Sequence, residues 1–598
     1  MSRANRKRGY LTLFVGLLTV AVAVKGFLFV TLRPEAISGA ASFLAVVRAD
    51  VVWLAALGFA FLGLDRIAPS RWLAARRTLV FLVVLFYLAN AAFVPQVGKL
   101  FSWTYLVYLG DGIGTIVQPW MVLAGLTSLV GAAGIAMALV GPPSAVRARD
   151  WLVPGAAAAL VAGLSWGVTP GTTASAFAPQ PLVYFGGSVV ARLHDDTSSE
   201  AGQIAQNHRR LATLEGLPSL AGANLVVIVL ESTGSRYAMG EHDGKLVSPY
   251  LADLAGRSVS FPRAYTNSTD SVSAFAPLFL STWWVSDRYR ALLRDGIGVP
   301  SWGEVLVDAG YETALFSGNN FFYGDSIGIM RRFGFRTVRH SAHYAKPGQM
   351  RWNFDDLRVV PDALQWMADR GGERFCLLYW TSGGHWPWED DYARDEFGRE
   401  TELGRHLNLL RHQDRVVEAL VRGVERLGLE RDTLFVILGD HGDGFGPNLG
   451  GDGHPGRLTY EEIIRVPLLF HHPRWVGRAG AVPVPAQHVD VGPTVLGALG
   501  LTIPDAWQGR DLLSGGPVAD IPVYAWARDD QIAAIRGDTK VILNTSDQRL
   551  ELYDLATDPD ERVDLSDRPP AAHLDLAKTL RAFRRAQARH WRRLADER

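Results

Sequence analysis

DTLFVILGDHGDGFG, residues 432–446, decides the fold. Its first half is a continuous apolar run of strand length. Asp440 and His441 follow directly, among Gly439, Gly442, Gly444 and Gly446, which permit tight turns and close approach of a ligand. NLVVIVLEST, residues 224–233, is built the same way and ends its apolar run at Glu231. Two buried strands thus deliver a carboxylate and an Asp-His pair at their C-terminal ends, where an α/β sheet places its chemistry. A lone strand-end acid can cap a helix, and an Asp-His pair can close a loop. Together, two carboxylates and an imidazole suit a divalent cation better than a packed core.

Outward from these runs, strands and helices alternate. YETALFSG (311–318), RFCLLYWTS (374–382) and VPLLFHH (466–472) read as strands, and a short strand is expected around 259–265. SPYLADLAGRS (248–258) and residues 402–427 read as helices, and a further helix opens at 271–281 behind the polar stretch NSTDS. This alternation predicts one large doubly wound α/β domain over 221–515. The remainder, 516–598, is expected to hold a small antiparallel subdomain, with a hairpin at QIAAIRGDTKVILN and QRLELYDL, and a helix.

The N-terminal part is of a different kind. Apolar runs at 10–31, 48–64, 77–97, 118–141 and 151–170 predict a transmembrane domain of about five helices over 1–170. The basic start MSRANRKR is followed by more apolar runs and not by a cleavage signal. Basic residues collect at Arg3, Arg6, Lys7 and Arg8, at Arg66, Arg71, Arg76 and Arg77, and at Arg147 and Arg149. The positive-inside rule places these segments in the cytoplasm. Five spans then put the catalytic domain on the extracytoplasmic side of the inner (cytoplasmic) membrane; four spans would reverse this. Residues 171–220, with DDTSSEAGQ, read as a linker.

The 598 residues carry 60 basic and 60 acidic side chains, which gives no case for bulk nucleic-acid binding. Cys376 is the sole cysteine, so an internal disulfide and a cysteine-cluster metal site are excluded.

A cation that polarises a hydroxyl needs that hydroxyl nearby, and a helix N-terminus favours the developing alkoxide. NSTDSVSAF offers Thr269, Ser271 and Ser273, which spacing alone does not separate. His385 in TSGGHWPW and His454 in GGDGHPG lie in Gly/Pro-rich loops, where they are placed to hold a phosphate oxygen or protonate a leaving group. Trp386 and Trp388 are available to cover apolar or sugar parts of a substrate.

These motifs together resemble the sulfatase branch of the alkaline phosphatase superfamily. The layout is similar to lipoteichoic acid synthases and related membrane phosphoglycerol transferases, and in outline to phosphoethanolamine transferases. The resemblance covers about residues 224–515, with YEEIIRVPLLFH at 460–471 and a tail in RGDTKVILN and LYDLATDPDERVDL. It implies Glu231, Asp440, His441 and Ser271 as the metal set, with one divalent ion, Mn2+ or Zn2+. It implies Ser271 as the nucleophile, with Ser273 as the second choice, and His385 and His454 as substrate histidines. NNFFYGDS, with Asn319, Tyr323 and Asp325, takes the place of the substrate pocket, and Trp386 is grouped with it. The implied activity is transfer of a phosphoglycerol-like group from a membrane lipid donor to a glycan or lipid-linked acceptor. A membrane-anchored phosphodiesterase or sulfatase-like hydrolase and a phosphoethanolamine transferase are the alternatives. Ser271-Val272-Ser273-Ala274-Phe275 lacks the Pro and Arg of the formylglycine motif. The pocket lacks the arginine of phosphoglycerol binders, and the chain lacks the cysteine pattern of phosphoethanolamine transferases.

Overall fold

The computed structural model describes Val80 and residues 217–596, apart from 285–289, 320, 322–324, 345–353, 389–390, 447–457, 478–479, 515–521, 528–530 and 546–547. The expected membrane spans and most of the linker lie outside the described residues. No helix among the described residues is long and apolar enough to cross a membrane. The chain divides into two units, of which the second, Thr197–Pro447 with Gly451–Arg598, holds everything that follows.

The centre of this unit is a seven-stranded sheet. In chain order its strands are β1 (Asn224–Leu230), β2 (Val259–Ser260), β3 (Glu312–Ser317), β4 (Thr337–Arg339), β5 (Phe375–Trp380), β6 (Thr433–Gly439) and β7 (Leu468–His471). They lie side by side as β2-β7-β6-β1-β5-β3-β4. The five strands from β6 to β4 run parallel, while β7 is antiparallel to β6 and β2 to β7. Both faces of β1 are buried, which explains its unbroken apolar run. Leu225, Val227 and Val229 join one core; Val226, Ile228 and Leu230 join the other.

The second core is covered by α1 (Pro249–Gly256), α3 (Val360–Ala368) and α4 (Glu402–Arg426), the first by α2 (Ser271–Leu280) and α5 (Val491–Ala498). The first core also runs on into the C-terminal part. There β8 (Val523–Ala527), β9 (Gln531–Arg536), β10 (Thr539–Asn544) and β11 (Leu550–Asp554) form an antiparallel sheet backed by α6 (Ala571–Asp596). This is a four-stranded sheet, larger than the expected hairpin. The expected strand at 259–265 is instead two short ones: Val259–Ser260 pairs with β7, and Ala264–Tyr265 pairs with Ala486–Gln487. Pro262 lies between them and has no N–H to continue a ladder.

A buried ion cluster joins the C-terminal sheet to the segment that precedes β7. The fully buried Lys540 ammonium on β10 lies 3.2 Å from Glu461 Oε1 and 2.7 Å from Glu561 Oε1. Next to Glu461, Glu462 accepts the Phe445 and Gly446 amides of the loop that follows β6.

Candidate metal centre and active site

β1 and β6 are adjacent and parallel, with Leu230 beside Gly439, so the residues that follow them emerge together. One ligand atom each from Glu231, Asp440 and His441 lies within 4.8 Å of the others. Glu231 and Asp440 are fully buried and His441 is nearly so. Glu231 does not cap the next helix: the short helix Ser235–Ala238 has Gly234 as its N-cap and no side-chain capping bond. The turn that holds His441 is packed backbone to backbone. A Cβ on Gly442 would lie 2.4 Å from the Glu462 carbonyl oxygen and 2.8 Å from Gly234 Cα, so only glycine fits.

Ser271 is the first residue of α2, and Asp270 is its N-cap, accepting the Ser273 amide at 3.1 Å. Ser271 Oγ donates to Glu231 Oε1 at 3.0 Å and lies 3.5 Å from His441 Nε2. Ser273 is buried two residues further along the helix. Thr269 is also buried, and its amide donates to the Trp526 carbonyl of β8 at 3.2 Å. The three hydroxyls that spacing left equivalent therefore occupy different positions, and it is Ser271 that contacts the cluster.

The cluster has the electrostatics of a cation site. Burial, and then the charge of Asp440, push Glu231 up to about 8. Burial likewise raises Asp440. Burial pulls His441 down, but the Asp440 and Glu231 carboxylates outweigh it and raise the imidazole to about 9. Asp440 Oδ1 accepts the Ser232 and His441 amides at 2.8 and 2.7 Å, whereas the buried Oδ2 has no hydrogen-bond partner. An orphaned carboxylate oxygen beside a second carboxylate, an imidazole and a hydroxyl fits a divalent cation with O and N ligands.

The outer partners are not where motif reading looks. Glu231 Oε2 accepts the Trp380 indole N–H at 3.0 Å and the Asn319 amide at 3.1 Å. Asn319, expected among substrate-binding residues, thus donates to the Glu231 carboxylate. Gln413 of α4 donates to the Glu231 carbonyl at 2.9 Å and to the Gly383 carbonyl, and accepts from Thr233 and Thr381 at 2.9 and 3.2 Å. Asp356 accepts the Gly318, Ser382 and Gly383 amides at 3.2, 2.8 and 3.0 Å, which ties the β3 and β5 loops together. Trp380, Gln413 and Asp356 carry no local signal.

The loop of His385 is held in the same corner. A Cβ on Gly384 would lie 2.4 Å from the Glu231 carbonyl oxygen. The imidazole Nδ1 of His385 rests on the Trp386 carbonyl. Trp386 is half-buried against a cluster of Trp388, Leu409 and Phe445. His454 and Tyr323 lie outside the described residues.

The largely parallel sheet carries a carboxylate, an Asp-His pair and a helix-start hydroxyl at its strand ends, and residues 223–501, a little under half of the chain, match the sulfatase family model. A solved protein of the alkaline phosphatase superfamily from Vibrio parahaemolyticus shares the fold, with a TM-score of 0.52, 18% identity and coverage of 68% of this chain and 96% of that one. Among curated relatives, the lipoteichoic acid synthase-like YvgJ of Bacillus subtilis is 24% identical over 314 residues, 49% of this chain and 50% of the relative. An ulvan-active sulfatase of Formosa agariphila is 33% identical over 102 residues, 17% of this chain and 19% of the relative. The chain thus spans half or less of the length of these curated relatives.

Proposed function

We propose that this chain is a metal-dependent enzyme that transfers a phospho-substituent, phosphoglycerol-like in class, from a membrane lipid headgroup to a glycan or lipid-linked acceptor through a covalent intermediate on Ser271. The observation that carries this reading is the contact of a helix-start serine with Glu231 Oε1 at 3.0 Å and His441 Nε2 at 3.5 Å, beside the orphaned Asp440 oxygen. Glu231, Asp440, His441 and Ser271 would hold one divalent ion, Mn2+ or Zn2+. Such an ion supplies Lewis acidity and lowers the pKa of a bound hydroxyl.

The residues then divide the work. Ser271 Oγ attacks phosphorus, an O–P bond forms, the bond to the lipid alcohol breaks, and the serine proton ends on that alcohol. In the second half the acceptor hydroxyl attacks phosphorus, its O–P bond forms, the Ser271 Oγ–P bond breaks, and the acceptor's proton ends on Ser271 Oγ. The first-turn amides of α2 favour the charge that develops on Oγ. His385 and His454 are assigned to the phosphate oxygens and to proton delivery, and Trp386 and Tyr323 to the rest of the substrate. The spans expected over 1–170 and their flanking arginines place this half at the outer face of the membrane, next to its donor.

Three things support phospho-transfer: the lipoteichoic acid synthase-like relative, the missing Pro and Arg of a formylglycine motif, and Glu231-Ser232 at the first strand end, where many sulfatases carry two adjacent acids. The sulfatase relative favours a second reading, a hydrolase with water as acceptor. The test exposes the purified chain to total membrane lipid and seeks a mass adduct on Ser271. Ser271→Ala should abolish adduct and turnover; full turnover in that variant refutes the assignment. Capture of the group by added glycan or alcohol, in place of release to water, separates transferase from hydrolase.

A further inference from the structure

The carboxylate of Glu231 is not free to choose how it meets a cation. Its two oxygens have different surroundings. Oε1 faces Ser271 Oγ at 3.0 Å, Ser232 Oγ at 3.5 Å and His441 Nε2 at 4.0 Å. Oε2 faces the other way and accepts two N–H donors, Trp380 Nε1 at 3.0 Å and Asn319 Nδ2 at 3.1 Å. Both bonds run to a charged acceptor inside the protein, the stronger class of hydrogen bond.

Neither donor is easily displaced. The Trp380 indole is 1% exposed and wedged among aromatic rings, edge-on to Phe275 at 5.5 Å and Phe321 at 6.3 Å and stacked on Phe279 at 6.5 Å. Asn319 is fixed through its backbone, with its amide on Ser317 Oγ at 2.9 Å and its carbonyl receiving the Ser341 amide at 3.2 Å.

We infer that Trp380 and Asn319 are positioning residues that hold Glu231 to a single-oxygen mode, with Oε1 as its only metal-facing atom, and thereby select a small first-row cation over calcium. The inference rests on the cation-binding reading of the site and deepens it. Small divalent ions take one carboxylate oxygen at about 2.0–2.2 Å, whereas Ca2+ accepts both at about 2.3–2.6 Å and tolerates looser geometry. With Oε2 engaged by two donors, chelation by both oxygens requires breaking both bonds. Partners of this kind orient ligands, and their loss typically costs 10–100-fold in metal affinity.

The test uses the full chain, purified in detergent and stripped with chelator, titrated separately with Mn2+ and Ca2+ by calorimetry. Trp380→Phe keeps an aromatic ring but removes the N–H; Asn319→Ala removes the other donor. Each variant should bind Mn2+ about 10-fold more weakly, and the preference for Mn2+ over Ca2+ should narrow. Unchanged affinities for both ions in both variants, with metal-free melting temperatures matching the parent, overturn the inference. Should Trp380→Phe fail to fold, Asn319→Ala decides alone. Glu231→Ala separates the two levels. If the parent binds Mn2+ and Glu231→Ala does not, the cation site stands and the donor variants judge the clamp. If the parent and Glu231→Ala fail alike to bind, the cation reading falls and takes the clamp with it.

Discussion

Replacing Gln413 with leucine tests whether the site is held from behind. The Gln413 side chain is 1% exposed and joins two strand-end loops to α4. Its amide nitrogen serves the Glu231 and Gly383 carbonyls, and its oxygen receives the Thr233 and Thr381 hydroxyls. Leucine fills similar volume and removes all four bonds. Three of the four partners have a second bond: Thr233 Oγ1 and the Glu231 carbonyl contact each other at 3.1 Å, and Thr381 Oγ1 reaches the Val229 carbonyl at 3.3 Å. The buried Gly383 carbonyl loses its Gln413 donor. Stranding one buried acceptor costs about 1–3 kcal/mol, and each bond lost adds about 0.5–1.5 kcal/mol, offset in part by the apolar side chain. The expected net loss is about 2–4 kcal/mol. Urea unfolding followed by tryptophan fluorescence measures it, with an unchanged slope and a lower midpoint. Gln413→Glu should be worse than leucine, because it sets a buried acceptor against two carbonyls. A midpoint equal to that of the parent in the leucine variant would show that the loops hold themselves without Gln413.

Lys540→Met strands Glu461 and Glu561 in the interior and should cost about 3–5 kcal/mol, read from the same unfolding curves; a neutral result would mean that the two acids are protonated or hydrated. Gly442→Ala drives a Cβ into two backbones and should lower stability by about 1–3 kcal/mol, with loss of activity out of proportion to the fraction unfolded. Burial raises Asp356 from 3.8 to about 6, despite the amides of Ser382 and Gly383 that hold its charge. Its protonated form is therefore favoured in the fold, so its stability contribution is full below about pH 4 and is lost as pH rises through about 6. Against Asp356→Asn, the parent should lose relative stability across that window by about 3 kcal/mol and then level off. Parallel pH curves for the two proteins rule this out.

The elements easiest to read were those governed by local pattern. β1, β5 and β6 are continuous apolar runs because both sheet faces are covered, and α4 shows a strong apolar stripe over 25 residues. The convergence of Glu231, Asp440 and His441 was legible because polar residues directly follow such runs. The choice among Thr269, Ser271 and Ser273 was not, since helix phase and the stitch to β8 decide which hydroxyl faces Glu231. Trp380, Gln413 and Asp356 were missed for a related reason. Their partners lie 149, 182 and 26 residues away in the chain, and indole, amide and carboxylate look like core, helix surface and loop acid until the fold closes. The two-part strand at 259–265 and the four-stranded C-terminal sheet depended on pairing partners that no local window contains.

The segment just before Ser271 is knitted to the far end of the chain: Trp526 donates its amide to the Asn267 carbonyl, and its own carbonyl takes the Thr269 amide. A growing polypeptide that has already made Glu231, Ser271, Asp440 and His441 still lacks this seam until β8 has been synthesised. A chain that ended between residues 455 and 522 would carry all four of these side chains without the two Trp526 backbone bonds to the stretch that leads into α2.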